Sequence, residues 1–537
     1  MTIVPLTHRK YRFFLAGLFV AMLVLPGSAL AQTGIDALRF SNREPATGPR
    51  MMGMAGAGRY AGISDYTALI YNPAGLGLFT RSTAAGALTG FSAQDNATFE
   101  VAGNKTSAEN DLRSTRLTNL AYAYKFPTRR GALVIGASYN QVASFDRELV
   151  YEAENPGNSI TDYFVPVGGY TIDAAPGPDG ILGTADDEFD IDLSNSDPFS
   201  LAAWETFAID FSPDLYYAND PFPFLPAVSA GTVRQKEWVT ERGRINEITI
   251  GGGWEAARGV LVGFSLGVPF GTYRFDRRFE EDDIYDDNDG TGNTTDFDYL
   301  TYEEGFESDI VGIVLRGGLS AELTRGLRAG LTIETPTFYN IDEDYYTFLE
   351  TVFDNADSYR YGDLAGDAGN GSFEYQIRTP WRFGAGLSYT TPRVLISAGA
   401  EYVDWSQLEL DASSSHGYFD RENAIIRQDY NAVLNTHLGG EVWLGNVALR
   451  AGLAFQPDPV DDGGVDRSKT FLSAGIGYRF AEQLQLDFGF MQERFDDQWA
   501  PYSLTQEYQD VVSVSPAPVV SEEIIRNRFA IGLKYMF

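Results

Sequence analysis

The chain has 537 residues, no cysteine, three histidines and a formal net charge of -34 at pH 7. The missing cysteines exclude disulfides, thiolate metal sites and cysteine nucleophiles. The acidity argues against nucleic acid and anionic surfaces as partners, because phosphate groups require a basic patch.

Residues 1–31 show the pattern of a secretory signal peptide. A cationic run over residues 8–12 precedes an apolar stretch over residues 13–25, and Ala29-Leu30-Ala31 offers a small-residue cleavage site. We expect the mature chain to start at Gln32. No later stretch approaches the roughly 18 apolar residues of a membrane helix. A membrane protein with this sequence would therefore be a closed β-barrel, the other structure that satisfies all backbone groups in lipid.

Residues 32–80 are predicted to form a compact, irregular plug rather than a strand. Their glycines permit close backbone approaches but would weaken a regular element. Asparagine before proline predicts a turn. The residues that carry this prediction are Gly53, Gly56, Gly58, Asp65, Asn72, Pro73 and Ala74. The glycine spacing is not GxGxxG and no Lys-Ser/Thr pair follows, which argues against a nucleotide site.

From residue 81 to residue 537 the period-two alternation of a β-sheet recurs, and it predicts an antiparallel transmembrane barrel of about 14 strands. Very short connections alternate with long ones, notably 148–242, 280–304, 340–372 and 497–524. Short turns are typical of the periplasmic end and long loops of the cell exterior. The pattern therefore predicts that both termini, and the plug, lie at the periplasmic end.

The phase of the alternation directs several ionisable side chains into the barrel. They are Arg382, Glu401, His437, Glu441, Arg450, Arg479 and Asp487. A basic side chain on the lipid face would cost roughly 2 to 4 kcal/mol near the midplane, so the inward orientation is favoured.

The last strand alternates strongly and ends in an aromatic residue. Its apolar face consists of Phe529, Ile531, Leu533, Tyr535 and Phe537. This pattern resembles the C-terminal signal by which the barrel assembly machinery recognises outer-membrane proteins. The alternative is an ordinary amphipathic strand of a soluble sandwich.

Several of these motifs together resemble the FadL/TodX family of outer-membrane transporters for long-chain fatty acids and other hydrophobic compounds. The resemblance rests on the plug residues, which end in YNPAGL over residues 71–76, and on the hairpin with RTPWRFG over 378–384 and EYVDWS over 401–406. It implies an outer-membrane barrel surrounded by lipid, with a lumenal hatch and no required cofactor. It also implies capture of hydrophobic compounds, such as fatty acids or hydrocarbons, at outer loops, followed by passive diffusion gated by the hatch. The alternative is a FadL-like platform that binds secreted proteins.

Two apolar patches in the outer loops are candidates for substrate capture. The first contains Phe199, Trp204, Phe207, Phe211, Tyr216, Phe222 and Phe224, and the second contains Tyr345, Phe348, Leu349, Val352 and Phe353 at helical spacing. Apolar patches facing water must be buried against each other or against a ligand. A satellite core that only fixes the long loops is the alternative.

Two further chemical hypotheses concern the loops. Acidic residues around glycines resemble a calcium loop, with Asp173, Asp179, Asp186, Asp187 and Asp190 as candidate ligands, although EF-hand spacing is missing and a solvated loop is the alternative. An enzyme would need a nucleophile beside a base, and the only loop histidine is His416, which follows a flexible serine run. The sequence therefore predicts no enzyme.

Overall fold

The computed structural model describes residues 33–101, 104–286, 296–362, 370–412 and 417–537. The expected signal peptide, the cleavage site before Gln32, and His416 lie outside these residues.

Strands make up most of the described chain. They are β1 (Thr83–Val101), β2 (Asn104–Lys125), β3 (Leu133–Ser144), β4 (Arg147–Asn155), β5 (Thr171–Ala175), β6 (Glu188–Asp192), β7 (Ile209–Phe211), β8 (Phe224–Pro226), β9 (Val233–Ala257), β10 (Val260–Asp282), β11 (Phe297–Thr324), β12 (Leu327–Glu334), β13 (Phe338–Phe353), β14 (Ser358–Tyr361), β15 (Gly371–Arg378), β16 (Arg382–Thr390), β17 (Val394–Asp404), β18 (Glu409–Asp411), β19 (Ala432–Leu444), β20 (Val447–Gln456), β21 (Lys469–Ala481), β22 (Leu484–Trp499) and β23 (Val519–Met536).

Helices are short and lie in the N-terminal segment and the loops. They are α1 (Gly34–Ser41), α2 (Pro49–Met52), α3 (Ile160–Tyr163), α4 (Pro198–Glu205), α5 (Pro213–Tyr217), α6 (Asp420–Asp429) and α7 (Gln506–Val512), with 3-10 helices at Tyr66–Leu69, Pro73–Leu78 and Trp405–Gln407. Within the described ranges, no helix has the length and apolar character needed to cross a membrane.

The sheet closes into an antiparallel barrel with fourteen wall positions. β1 pairs with β2 on one side and with β23 on the other, so the wall has no free edge. Four wall positions are interrupted strands. β3 and β4 both pair with β9, and β12 and β13 both pair with β11. The other two interrupted positions follow β12 and β13 around the barrel. One consists of β15 with β16, and the other of β17 with β18. The predicted fold class is confirmed.

The two faces of the wall differ as the alternation predicted. On β20, Leu449 and Leu453 are 47% and 52% exposed on the outer face, whereas Arg450 between them is 4% exposed and faces the interior. Apolar side chains outside and polar side chains inside are typical of barrels that span lipid.

Six short connections lie at one end of the barrel, which we call the short-turn end. They cover residues 126–132, 258–259, 325–326, 391–393, 445–446 and 482–483. The first and last wall strands also meet there, because Thr83 is paired with Met536. The opposite end, the long-loop end, carries the connections 156–232 and 500–518, which we call the outer cap.

All four predicted long loops are shorter than expected because the strands continue beyond the apolar band. β10 runs to Asp282, and β13 covers Phe338–Phe353. The helix suggested by the spacing of Tyr345, Phe348, Leu349, Val352 and Phe353 is therefore wrong. Residues of β13 pair with β11 from Ile313 opposite Phe338 to Phe297 opposite Phe353. This long ladder decides the conformation where local spacing alone is ambiguous.

Residues 33–79, which we call the lumenal segment, lie within the ring of strands. The segment touches the wall in several directions. Asn119 of β2 donates to Thr47 at 2.6 Å, and Asn72 donates to the backbone oxygen of Leu319 in β11 at 3.3 Å. Gly53 lies against Gly475 of β21, where a Cβ atom would come within 3.0 Å of the opposite backbone. These contacts surround the segment, so it occupies the barrel interior.

Candidate functional site

Asn72 ties the lumenal segment to itself and to the wall. Its Oδ1 accepts a hydrogen bond from the Ala74 N–H at 3.1 Å and caps the 3-10 helix that starts at Pro73. Its Nδ2 donates to the backbone oxygen of Tyr60 at 2.7 Å, in addition to the bond with Leu319. The turn predicted at Asn72 and Pro73 is therefore present, and all partners of the Asn72 side chain are backbone groups.

The glycines of the segment allow close packing. Gly56 has φ of 74°, and a Cβ there would collide with the Pro45 backbone. Gly58 has φ of 91°, whereas Gly53 has an ordinary helical φ and matters because it touches the wall. Each of the three predicted glycines thus has a steric reason to be glycine.

Arg50 of the lumenal segment joins a chain of charges that crosses to the wall. Arg50 contacts Asp65 of the segment at 3.3 Å and Glu441 of β19 at 3.0 Å. Glu441 also accepts from Arg450 at 2.6 Å, and Arg450 contacts Asp487 of β22 at 2.7 Å. The structure thus brings together Asp65 and three of the ionisable residues that the alternation directed inward.

A second chain of charges lies on the opposite side of the lumen. Arg43 of the segment pairs with Glu334 at 2.7 Å, and Glu334 also pairs with Arg316 at 2.6 Å. Arg316 in turn donates through Nη2 to Glu247 at 2.8 Å. Every member of this chain was missed by the sequence analysis, although the inward phase of β9, β11 and β12 could have identified the wall residues.

Arg59 and Arg39 make two further charged links from the segment to the wall, and Glu44 makes another with Arg528 of β23 at 3.5 Å. Arg59 lies 3.7 Å from Glu401, which also pairs with Arg382 at 3.2 Å. Arg39 lies 3.5 Å from Glu241 of β9. Four arginines of the lumenal segment therefore face carboxylates of the wall.

Burial makes these links sensitive to the loss of either partner. Burial alone would lower the pKa of Arg50, but the carboxylates of Glu441 and Asp65 outweigh it and the pKa of Arg50 is raised. The carboxyl of Glu44 is different: burial raises the pKa of Glu44, and Arg528 offsets this only in part. A buried charge whose partner is removed costs about 3 to 5 kcal/mol, so the links hold the segment only while both partners are present.

A cavity of about 320 Å³ lies between the lumenal segment and the long-loop end. Its lining includes the aromatic side chains of Trp405, Phe495 and Trp499, together with cationic residues that include Arg147 and Arg526. The buried Nε atoms of Arg147 and Arg526 have no hydrogen-bond partner in the part of the chain that the structure describes. The cavity therefore offers both apolar surface and unsatisfied donors.

Most of the aromatic residues predicted to capture substrate form a packed core in the outer cap. Phe199, Phe222, Phe224, Leu349, Val352 and Phe353 are buried, and Trp204, Phe211, Tyr216 and Phe348 are half-buried. Phe207 is 49% exposed and stacks edge-on with Tyr359 at 4.6 Å. The satellite core that the sequence left open as an alternative is therefore present. Tyr345 is half-buried as well, so of the twelve residues in the two predicted patches Phe207 is the one that is exposed.

The calcium candidates are not assembled as a metal site. Asp186 and Asp187 accept hydrogen bonds from backbone N–H groups of their own loop, at 3.1 Å from Asp179 and 2.6 Å from Gly183. Hydrogen bonds from Thr184 and Tyr217 lower the pKa of Asp186 and Asp187, respectively. Asp173 and Asp190 face each other across the β5–β6 hairpin. Within the described ranges, the acidic group with oxygens close enough to share an ion is instead Asp286, Asp296 and Asp354.

The C-terminal strand has the apolar outer face that its alternation predicted. Phe529, Ile531, Leu533, Tyr535 and Phe537 are each between 41% and 56% exposed. β23 pairs with β1 and β22 and so closes the wall. Recognition of this strand by the assembly machinery stays a prediction.

Comparison with known proteins gives a consistent picture. The family model described as "Outer membrane protein transport protein (OMPP1/FadL/TodX)" matches residues 255–508. A long-chain fatty acid transport protein of Escherichia coli is 27% identical over 194 residues, which are 34% of this chain and 42% of that relative. The aligned part thus spans less than half of the relative's length.

Solved structures extend the comparison to nearly the whole chain. The crystal structure of a Pseudomonas aeruginosa FadL homologue covers 92% of this chain and 100% of its own, with a TM-score of 0.54 and 12% identity. The toluene transporter TodX of P. putida is similar over 92% of this chain and 99% of its own, with a TM-score of 0.49 and 11% identity. The first of these shows a shared barrel fold. The family model and the fatty acid transport relative show that part of the chain, including residues 255–508, is similar to the FadL/TodX family of outer-membrane proteins.

Proposed function

We propose that this protein takes up hydrophobic compounds, such as long-chain fatty acids, across the outer membrane by passive diffusion, with the lumenal segment as a movable gate. The observation that carries the proposal is the cavity against the lumenal segment, which combines aromatic surface with the guanidinium groups of Arg147 and Arg526, whose Nε donors have no hydrogen-bond partner among the described residues. An alkyl chain gains about 0.8 kcal/mol per buried CH2 there. A carboxylate head group matches the donors of Arg147 and Arg526.

The same cavity suggests how a ligand could act on the gate. Arg39 and Arg43 of the lumenal segment line the cavity, and they also pair with Glu241 and Glu334 of the wall. An anionic head group entering the cavity would compete with these carboxylates for the arginines. This exchange of partners would loosen the segment while each arginine keeps an anionic partner. It would therefore avoid the large free-energy cost of an unpaired buried charge.

Capture at the cell surface is assigned to exposed rings rather than to the whole aromatic cluster. The long loops lie at the exterior, because short turns mark the periplasmic end of such barrels. Phe207 and Tyr359 are exposed there, whereas Phe199 and Phe224 already have their apolar surface covered by neighbours. The lumenal cavity and the matched family support transport over a platform for secreted proteins, which would need no such cavity.

Uptake into liposomes tests the proposal. Liposomes containing the wild-type protein should accumulate a labelled fatty acid but exclude a labelled sugar. The Arg526→Gln variant should take up the fatty acid more slowly, because it loses a cavity donor, whereas Arg494→Gln on the exposed outer surface of the next strand is the matched control. Equal uptake by both variants and the wild type, at equal protein content, would refute the role of the cavity.

The gate itself is tested by replacing Asn72 and Pro73 with alanine. These changes remove the cap of the 3-10 helix and the bonds to Tyr60 and Leu319, but they leave all wall strands intact. We expect altered uptake with an unchanged barrel, which heat-modified migration on gels can verify. Unaltered uptake in a correctly folded variant would argue against gating by this segment.

A further inference from the structure

Basic residues concentrate at the short-turn end of a chain whose net charge is -34. Four consecutive short connections carry exposed arginines. They are Arg129 and Arg130 in 126–132, Arg258 in 258–259, Arg325 in 325–326 and Arg393 in 391–393. We call these five residues the arginine arc. The two remaining short turns, 445–446 and 482–483, contain no basic residue, so the arc covers one side of the rim.

The arginine arc is not neutralised by nearby acids. Glu255 accepts a hydrogen bond from the backbone of Gly259 at 3.0 Å, and Glu322 and Glu482 pair with Arg328 and Arg81. No guanidinium group of the arc has a hydrogen-bond or ion-pair partner among the residues that the structure describes. Five cations therefore lie side by side with their donors open.

The arc lies at the boundary between the lipid-facing surface and water. At or just before each turn, an exposed apolar side chain lies on the outer face of the wall. These side chains are Phe126 at 36%, Trp254 at 37%, Leu323 at 60% and Tyr389 at 49% exposure. Because the turns are so short, the guanidinium groups cannot extend far into the periplasm. Aromatic side chains with arginines at this level are typical of the lipid head-group region.

We propose that the arginine arc binds the phosphate groups of anionic phospholipids in the periplasmic leaflet. Guanidinium groups bind phosphate oxygens with two parallel hydrogen bonds, and each cation near an anionic surface adds to the attraction. A lipid head group reaches the arc directly from the lipid-facing surface, whereas a soluble partner would meet a narrow rim of short turns that do not protrude. The net negative charge of the whole chain argues against anionic partners. Electrostatic interactions fall off within a Debye length, however, so the charge close to the binding surface determines whether an anionic lipid is attracted.

Lipid selectivity measured with spin-labelled lipids tests this inference. Wild-type protein in phosphatidylcholine bilayers would be probed with trace spin-labelled phosphatidylglycerol or phosphatidylcholine, and the motionally restricted fraction gives their relative association constants. We expect a several-fold preference for phosphatidylglycerol at low salt that declines as salt is raised. The variant with all five arc arginines changed to glutamine should bind the two lipids about equally.

The matched control removes the same charge at the other end of the barrel. Arg113, Arg274, Arg278, Arg360 and Arg494 are exposed near the long-loop end, and changing them to glutamine should leave the preference intact. The inference would be overturned if the wild type showed no preference, or if the control variant lost it as fully as the arc variant. The salt titration of the wild-type protein gives an answer even where a variant fails to fold.

Discussion

Two parts of the molecule obstruct the barrel, and they are held by different forces. The lumenal segment packs a buried apolar surface around Met51 and Met54 against wall residues such as Phe471 and Met491, and it adds five arginine–carboxylate links to the wall. The outer cap is held mainly by an apolar cluster that includes Phe224, Tyr302 and Tyr502. Charged links can be exchanged for a charged ligand, whereas the cluster can open only by exposing aromatic surface to water. From this comparison we expect a movable element inside and a fixed lid outside.

The largest expected effect comes from breaking a link of the lumenal segment. Glu441→Gln removes the carboxylate that Arg50 and Arg450 share. Because each arginine keeps one other carboxylate, we expect the docking of the segment to weaken by at most about 3 to 5 kcal/mol. Hydrogen exchange of backbone amides in residues 48–79 should accelerate while the outer cap stays protected.

Glu482→Gln is the matched control for this change. Glu482 pairs with Arg81 at the rim, where its side chain is 86% exposed. Exposed pairs contribute below about 1 kcal/mol, so exchange should remain as in the wild type. Equal effects of the two substitutions would show that the buried links stabilise the docked segment no more than an exposed ion pair does.

Truncating a core side chain of the outer cap should loosen the cap and leave the lumenal segment protected, which is the reverse of the result expected for Glu441→Gln. Phe224 is 2% exposed, and Phe224→Ala should destabilise the cap by about 3 kcal/mol, since Trp204 and Phe211 beside it can partly fill the space. Limited proteolysis should then cut within residues 156–232 while the lumenal segment stays protected. Loosening of both parts together would mean that they are one cooperative unit.

Acidity should affect the cap through Asp162. Burial raises the pKa of Asp162 to about 6, although hydrogen bonds from Ser159 and Tyr508 oppose the shift. A raised carboxyl pKa stabilises the folded state fully below the unfolded value of about 3.9, and this contribution is lost as pH rises through about 6. We expect the cap to be tighter at pH 5 than at pH 8 by roughly 1.4 kcal/mol, because pH 5 lies about one unit below the folded pKa.

Hydrogen exchange in residues 156–165 at the two pH values measures this difference. Asp162→Asn keeps an acceptor oxygen for the same donors but cannot titrate, so its exchange should lose most of the dependence on pH in this range. A variant with the full wild-type dependence would assign the titration to another group.

The smallest effect on stability is expected at the exposed ring of Phe207. Phe207→Ala removes its contact with Tyr359, which is worth about 1 kcal/mol, and should leave the fold intact. If exposed rings capture substrate, the fatty acid concentration for half-maximal uptake should rise. The buried Phe199→Ala should instead weaken the cap, and unchanged uptake by the Phe207 variant would remove the ring from the capture site.

The wall of the barrel was largely predictable from the sequence, because lipid outside and water inside impose a strict period of two. That period correctly placed Glu441, Arg450 and Asp487 inside. The region around Phe348 was mispredicted, because local spacing cannot reveal a ladder with β11 formed over a long sequence distance. The links of Arg43 and Arg50 were unpredictable for a similar reason: their partners are close only after the segment enters the barrel.

A reversible crosslink tests the gate most directly. The chain has no cysteine, so a pair introduced at Ala57 and Gly439 would be its only thiols. A Cβ at Gly439 would lie 3.0 Å from that of Ala57, within about half an ångström of the range that a disulfide spans, and 2.6 Å from the Met54 carbonyl oxygen, so the segment must shift slightly away from the wall to admit it. We predict that fatty acid uptake by this variant stops when the pair is oxidised, as verified by the loss of free thiols, and returns on reduction. Equal uptake in both states would contradict a gate that has to move.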